Sequence, residues 1–84
     1  MSNALSTNME LINETATHQR IYLEPWGETL SMPPGAYWVI EAISIAHGCL
    51  TVSLHPDGTA VTSEPGAFTR VYSKEKGCTI WQST

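Results

Sequence analysis

Two stretches of the chain carry the same pattern, Leu23-Glu24-Pro25-Trp26-Gly27 and Leu54-His55-Pro56-Asp57-Gly58, and they align at an offset of 54 − 23 = 31 residues. In each stretch the proline ends strand pairing because it has no N–H to donate, and the glycine two residues later allows the chain to reverse. At the same offset Pro34-Gly35-Ala36-Tyr37 falls on Pro65-Gly66-Ala67-Phe68, and Pro-Gly is typical of a type II turn. The pattern therefore predicts an internal repeat over residues 21–41 and 52–72, each copy running strand, reversal, short strand, turn and strand.

Apolar alternation around this pattern predicts strands. Ile21 and Leu23 alternate with polar neighbours, and Val52 and Leu54 do the same, so each strand is expected to have one buried and one solvent-facing side. The run 37–45 is apolar on both sides, which predicts a central strand. We predict an all-β fold, a small barrel or sandwich of about six to seven short antiparallel strands from two pseudo-two-fold related units.

The beginning of the chain allows two interpretations. Apolar residues fall at helical spacing from Leu5 to Ala16, but Thr, Asn and Ile in this stretch are poor helix formers. We therefore favour a strand over residues 10–15. Residues 1–8 are predicted to be a flexible N-terminal segment and residues 9–84 a single all-β domain.

Charge and hydropathy exclude two classes of partner. The chain has 84 residues, only four Lys and Arg, and a formal charge of −4, so it cannot assemble the positive stripe that nucleic acid requires. The longest apolar run, residues 36–40, is too short to cross a membrane. We expect no nucleic-acid partner, no membrane partner and a cytoplasmic location.

The sequence also lacks the motifs of common cofactor sites. Paired CxxC or HxxxH ligands and glycine-rich phosphate loops are absent, so no metal and no cofactor is predicted. Cys49 and Cys78 are expected to be free thiols, because a disulfide framework normally contains more cysteines.

The run 23–28, followed by Pro34-Gly35, resembles a pattern found in small, uncharacterised bacterial all-β proteins. This resemblance covers residues 20–45 and carries no activity with it. The Pro-Gly turns are also similar to those of cupin-type double-stranded β-helices. Neither His47-Gly48-Cys49 nor His55-Pro56-Asp57 supplies the cupin metal motif, so this resemblance implies a metal-free, half-sized relative.

A few side chains are candidates for chemistry or binding. The repeat places Glu24 and His55 at equivalent positions, since 24 + 31 = 55. Near a pseudo-two-fold axis they would form a general acid/base pair, and the alternative is that both are solvated residues at strand ends. Aromatic residues in a small domain usually form the core, but Trp26 lies in a turn and, with Tyr22 and Tyr37, is predicted to mark a ligand or interface surface.

These features favour a non-enzymatic β-domain for protein–protein interaction or assembly, expected to be a homo-oligomer or to bind another protein. The alternative is a cupin-like small-molecule binding protein or enzyme that uses Glu24, His55 and the aromatic face. No nucleophile motif such as GxSxG supports covalent catalysis.

Overall fold

The structure, a computed structural model, describes residues 5–44 and 50–83. These residues form eight β-strands and no helix. The strands are β1 (Leu5–Ile12), β2 (Gln19–Glu24), β3 (Glu28–Met32), β4 (Tyr37–Ser44), β5 (Leu50–His55), β6 (Gly58–Ser63), β7 (Phe68–Ser73) and β8 (Thr79–Gln82). The all-β prediction is confirmed, with more strands than the expected six to seven.

The eight strands form two separate four-stranded sheets. Sheet A has the order β1-β4-β7-β8 and sheet B the order β3-β2-β6-β5. All neighbours are antiparallel except β2 and β6, which run parallel with Leu23 opposite Val61. The barrel alternative and the purely antiparallel arrangement are therefore wrong for the described residues, because each sheet ends in two edge strands and sheet B contains a parallel pair.

The strand boundaries correspond in part at the predicted offset of 31 residues. Adding 31 to the bounds of β2 gives the bounds of β5. The same shift applied to β3 gives a strand with the same last residue as β6, and applied to β4 it gives a strand with the same first residue as β7. In sheet A the equivalent residues Ile40 and Val71 lie directly opposite each other. The predicted two-fold relation of the whole units is not confirmed, because sheet B joins β2 to the non-equivalent strand β6.

Most of the predicted turns contain a glycine with positive φ. Gly35 and Gly66 have φ of 78° and 87°, and Ala36 and Ala67 donate to the carbonyls three residues earlier, which confirms the type II turns. Gly27 has φ of 72°, whereas its repeat equivalent Gly58 has no positive φ. The expectation that both reversals use a left-handed glycine is therefore wrong at Gly58, where a different constraint acts.

The inward faces of the two sheets share one apolar cluster. Ile40 and Val71 of sheet A and Leu23 of sheet B are each at most 1% exposed. The cluster contains Ile21, Leu23, Met32, Trp38, Ile40, Val61 and Val71. Burial of this cluster from both sides provides the main stabilisation of so small a chain.

The first strand begins earlier than the predicted residue 10 and ends at Ile12, so residues 13–15 lie outside it. β1 begins at Leu5 and pairs along its length with β4, so residues 5–8 belong to the sheet and the helical interpretation is wrong. After β1, the buried side chain of Asn13 donates from Nδ2 to the carbonyls of Met32 and Thr17, both at 2.9 Å. Its Oδ1 accepts hydrogen bonds from Thr15. This amide fixes the connection from sheet A to sheet B.

Candidate functional site

Three of the residues singled out by the sequence lie on the outer face of sheet B. Tyr22, Glu24 and His55 line one open concavity of about 390 Å³. Its other lining residues are Ser53, Asp57, Ala60 and Thr62. The structure thus places both members of the predicted acid/base pair beside the same depression.

The two side chains are nevertheless too far apart along the strands to act as a pair. In the register of sheet B, Glu24 lies in one row with Thr62 and Thr51, whereas His55 lies opposite Gly58. The two rows are four residue steps apart on β6, since 62 − 58 = 4, which is about 13 Å along a strand. In the described part of the chain no hydrogen bond joins Glu24 to His55, so this geometry favours the alternative of separate strand-end residues.

Tyr22 lies opposite Ala60, in the row between those of Glu24 and His55, and it is hydrogen-bonded to Asp57. Its hydroxyl donates to Asp57 Oδ2 at 3.0 Å. A Cβ on Gly58 would lie 2.7 Å from the Tyr22 ring and 2.7 Å from the Arg20 carbonyl oxygen. Gly58 is therefore required for close approach of β2 and not for backbone conformation.

Tyr37 belongs to a different surface, on sheet A. Its hydroxyl donates to Glu10 Oε1 at 2.6 Å, and Lys74 Nζ donates to the other carboxylate oxygen at 2.9 Å. The hydrogen bond from Tyr37, followed by that from Lys74, lowers the pKa of Glu10, while Glu10 raises the pKa of both donors. Tyr37 thus fastens β1 to the sheet, and its hydroxyl is already engaged.

Trp26 remains partly exposed, at 37%, and packs edge-on against Trp81 with ring centroids 5.1 Å apart. It lines a third depression together with Phe68, which is 41% exposed. Tyr22, Tyr37 and Trp26 therefore lie at three different concavities, and the structure does not bring them into one aromatic groove.

The most unusual surface is one that the sequence did not single out. Leu50, Val52 and Leu54 point to the same side of β5, and we call them the β5 row. Leu50 is half-buried against the core cluster. Val52 is 45% exposed and Leu54 is 83% exposed, although their repeat equivalents Ile21 and Leu23 are 2% and 1% exposed. The prediction of a buried face on this strand is wrong, because β2 is central in sheet B and β5 is an edge strand.

The edge of β5 is also open along its backbone. No strand among residues 5–44 and 50–83 pairs with its outer side, and Leu50–His55 contains no Asp, Glu, Lys, Arg or Pro. The other edge strands are blunted: β1 carries Glu10, β3 carries Glu28, and β8 has four residues and a register shift in its pairing. Charges, short length and bulges are the devices that prevent edge pairing, and β5 has none of them.

The remaining candidate ligand and thiol side chains are dispersed over the described residues. No three His, Cys, Asp or Glu side chains are grouped closely enough there to hold a metal ion. Cys78 is an exposed free thiol, while His47 and Cys49 lie outside the described residues. No helix that is long and apolar enough to span a membrane occurs among the described residues.

Comparisons with protein-family models, with curated proteins and with solved structures returned no match for this chain. The resemblances to small bacterial β-proteins and to cupins therefore stay predictions.

Proposed function

We propose that this chain is a non-enzymatic β-sandwich domain for protein–protein interaction or assembly, and that copies of it associate through the edge of β5. The observation that carries the proposal is the exposure of two members of the β5 row, 45% at Val52 and 83% at Leu54, beside a strand edge without Asp, Glu, Lys or Arg.

Docking would relieve two unfavourable features of the β5 edge. Exposed leucine and valine side chains lose favourable burial, about 25 cal/mol for each Å² left in water. The outward N–H and C=O groups of an edge strand are a template for another strand, and added strands gain main-chain hydrogen bonds together with side-chain contacts on alternate residues. A docked strand would satisfy both requirements at once.

The experiment compares the mass of the chain in solution with that of two lysine variants. Sedimentation equilibrium of the wild type is expected to show a species heavier than the 9.2 kDa chain. Leu54→Lys should shift the population to monomer, because a buried charge would oppose docking. The control, Ile80→Lys, adds the same charge on β8, where Ile80 is 39% exposed, and should leave association unchanged.

Either of two results would overturn the proposal. One is a wild-type chain that stays monomeric up to about 1 mM, well above the concentration at which weak interfaces associate. The other is association that Leu54→Lys leaves unaffected while its fluorescence shows a folded domain.

A second candidate function is a metal-free, cupin-like site for a small molecule in the concavity of sheet B. It is supported by the convergence of Tyr22, Glu24, His55 and Asp57 on one depression of about 390 Å³. The two carboxylates favour a cationic ligand, so 1,4-diaminobutane is a suitable probe. Saturable NMR shifts at His55 that Glu24→Gln abolishes would support this function, and the absence of shifts at up to about 10 mM probe would exclude it for amines.

A further inference from the structure

We infer that the chain docked on β5 is a second copy of this protein, in which the two β5 strands run antiparallel and Val52 lies opposite the partner's Val52. This inference rests on the proposed function and names both the strand that β5 pairs with and the register.

The register follows from the β5 row itself. In an antiparallel pair, residues directly opposite each other point to the same face, so two copies keep their apolar residues together only if opposing residue numbers sum to an even value. A sum of 104 places Leu50 opposite the partner's Leu54, since 50 + 54 = 104, and Val52 opposite the partner's Val52, since 52 + 52 = 104. This register matches all three members of the β5 row, whereas a shift by two residues in either direction leaves one of them without an apolar partner.

The same register also gives favourable pairs on the opposite face of β5. Thr51 and Ser53 alternate with the β5 row, and a sum of 104 places Thr51 opposite the partner's Ser53. Hydroxyl pairs across strands are favourable, and no like charges meet along this stretch. The strand is therefore complementary to its own copy on both faces, even though each chain has a formal charge of −4.

The other edges of the molecule are poorer partners for β5. Glu10 on β1 and Glu28 on β3 would place a charge at the new strand pair, and β8 is two residues shorter than β5. Pairing of β5 with a different edge would also leave a free β5 on the next copy and extend into a filament. Pairing of β5 with itself uses the same surface on both copies, so assembly stops at two and joins the two copies of sheet B into one continuous sheet.

The contact is small, because it involves a strand of six residues. Interfaces below the standard size are usually weak or transient, and we expect dissociation in the micromolar range or above. Measurements therefore need concentrations of about 0.1 to 1 mM.

The test uses single-cysteine variants in a background where Cys49 and Cys78 are replaced by serine. Residues opposite each other across an antiparallel pair are close enough for a disulfide, whereas diagonal neighbours lie about 7 to 8 Å apart. Under mild oxidation, Val52→Cys should become a covalent dimer of twice the 9.2 kDa chain mass. The matched controls Thr51→Cys and Ser53→Cys are also exposed positions on the same strand and should stay mainly monomeric.

Each alternative outcome has a distinct meaning. Preferential cross-linking of Thr51→Cys or Ser53→Cys would overturn the register at Val52 and leave the proposed function standing. A heavier species that is sensitive to Leu54→Lys but cross-links at none of these positions would overturn the second copy of β5 as the occupant. A growing series of oligomers in place of a dimer would indicate pairing between different edges and would overturn the closed arrangement.

Discussion

The contrast between Leu23 and Leu54 gives the sharpest test of the fold. The two leucines occupy matching positions in the predicted repeat, yet Leu23 is 1% exposed in the centre of sheet B and Leu54 is 83% exposed at its edge. Replacing Leu23 by alanine removes buried methyl groups and leaves a cavity, which costs about 3 to 5 kcal/mol in well-packed cores. The same change at Leu54 removes groups that are already in water, so the expected loss is below about 0.5 kcal/mol.

Urea denaturation followed by tryptophan fluorescence measures both values. It is best performed at about 1 μM, where a weak dimer dissociates and only the fold of one chain is measured. Small domains are stable by about 5 to 10 kcal/mol, so Leu23→Ala should shift the midpoint strongly or prevent folding, while Leu54→Ala should unfold almost with the wild type. Equal losses in the two variants would refute the different burial of the equivalent positions, and with it the edge position of β5.

Three further predictions concern single contacts. Asn13→Ala should lower the free energy of unfolding by about 2 to 4 kcal/mol in urea titrations, because it leaves the buried Met32 carbonyl without its donor; a loss below about 1 kcal/mol would contradict this role. Gly58→Ala should cost about 1 to 3 kcal/mol, since its Cβ would lie 2.7 Å from the Arg20 carbonyl oxygen, and a neutral result would refute that close approach. Glu10 has a pKa below its ordinary value of 4.5, so its stabilising effect is present above that pH and is lost as the pH falls through the lowered pKa; stability measured against pH should show this loss in the wild type and not in Glu10→Gln.

The positions of proline and glycine in the sequence predicted most of the local structure of the chain. The Pro-Gly turns before β4 and β7 follow from residue chemistry alone, because proline sets φ at one turn position and glycine permits positive φ at the next. The offset of 31 residues also predicted strand boundaries that correspond in part between β2–β4 and β5–β7.

The pairing of the strands depended on information that local patterns do not contain. Alternation shows that one face of β5 is apolar, but it does not show whether the strand will be central or at an edge, so the burial of Leu54 was predicted wrongly. The parallel contact between β2 and β6 likewise has no local signature, and it sets the row of Glu24 apart from that of His55. The uncharged stretch Leu50–His55 was the available signal for an open edge.

The most direct measurement of the central claim is an isotope-filtered NOE experiment on an equal mixture of labelled and unlabelled chains at about 1 mM, a concentration at which a micromolar dimer is mostly formed. Pairing of β5 with its copy predicts contacts between chains from the Val52 methyl groups to those of the partner's Val52, and from Leu54 to the partner's Leu50. A spectrum in which these methyl groups show contacts only within their own chain would contradict it.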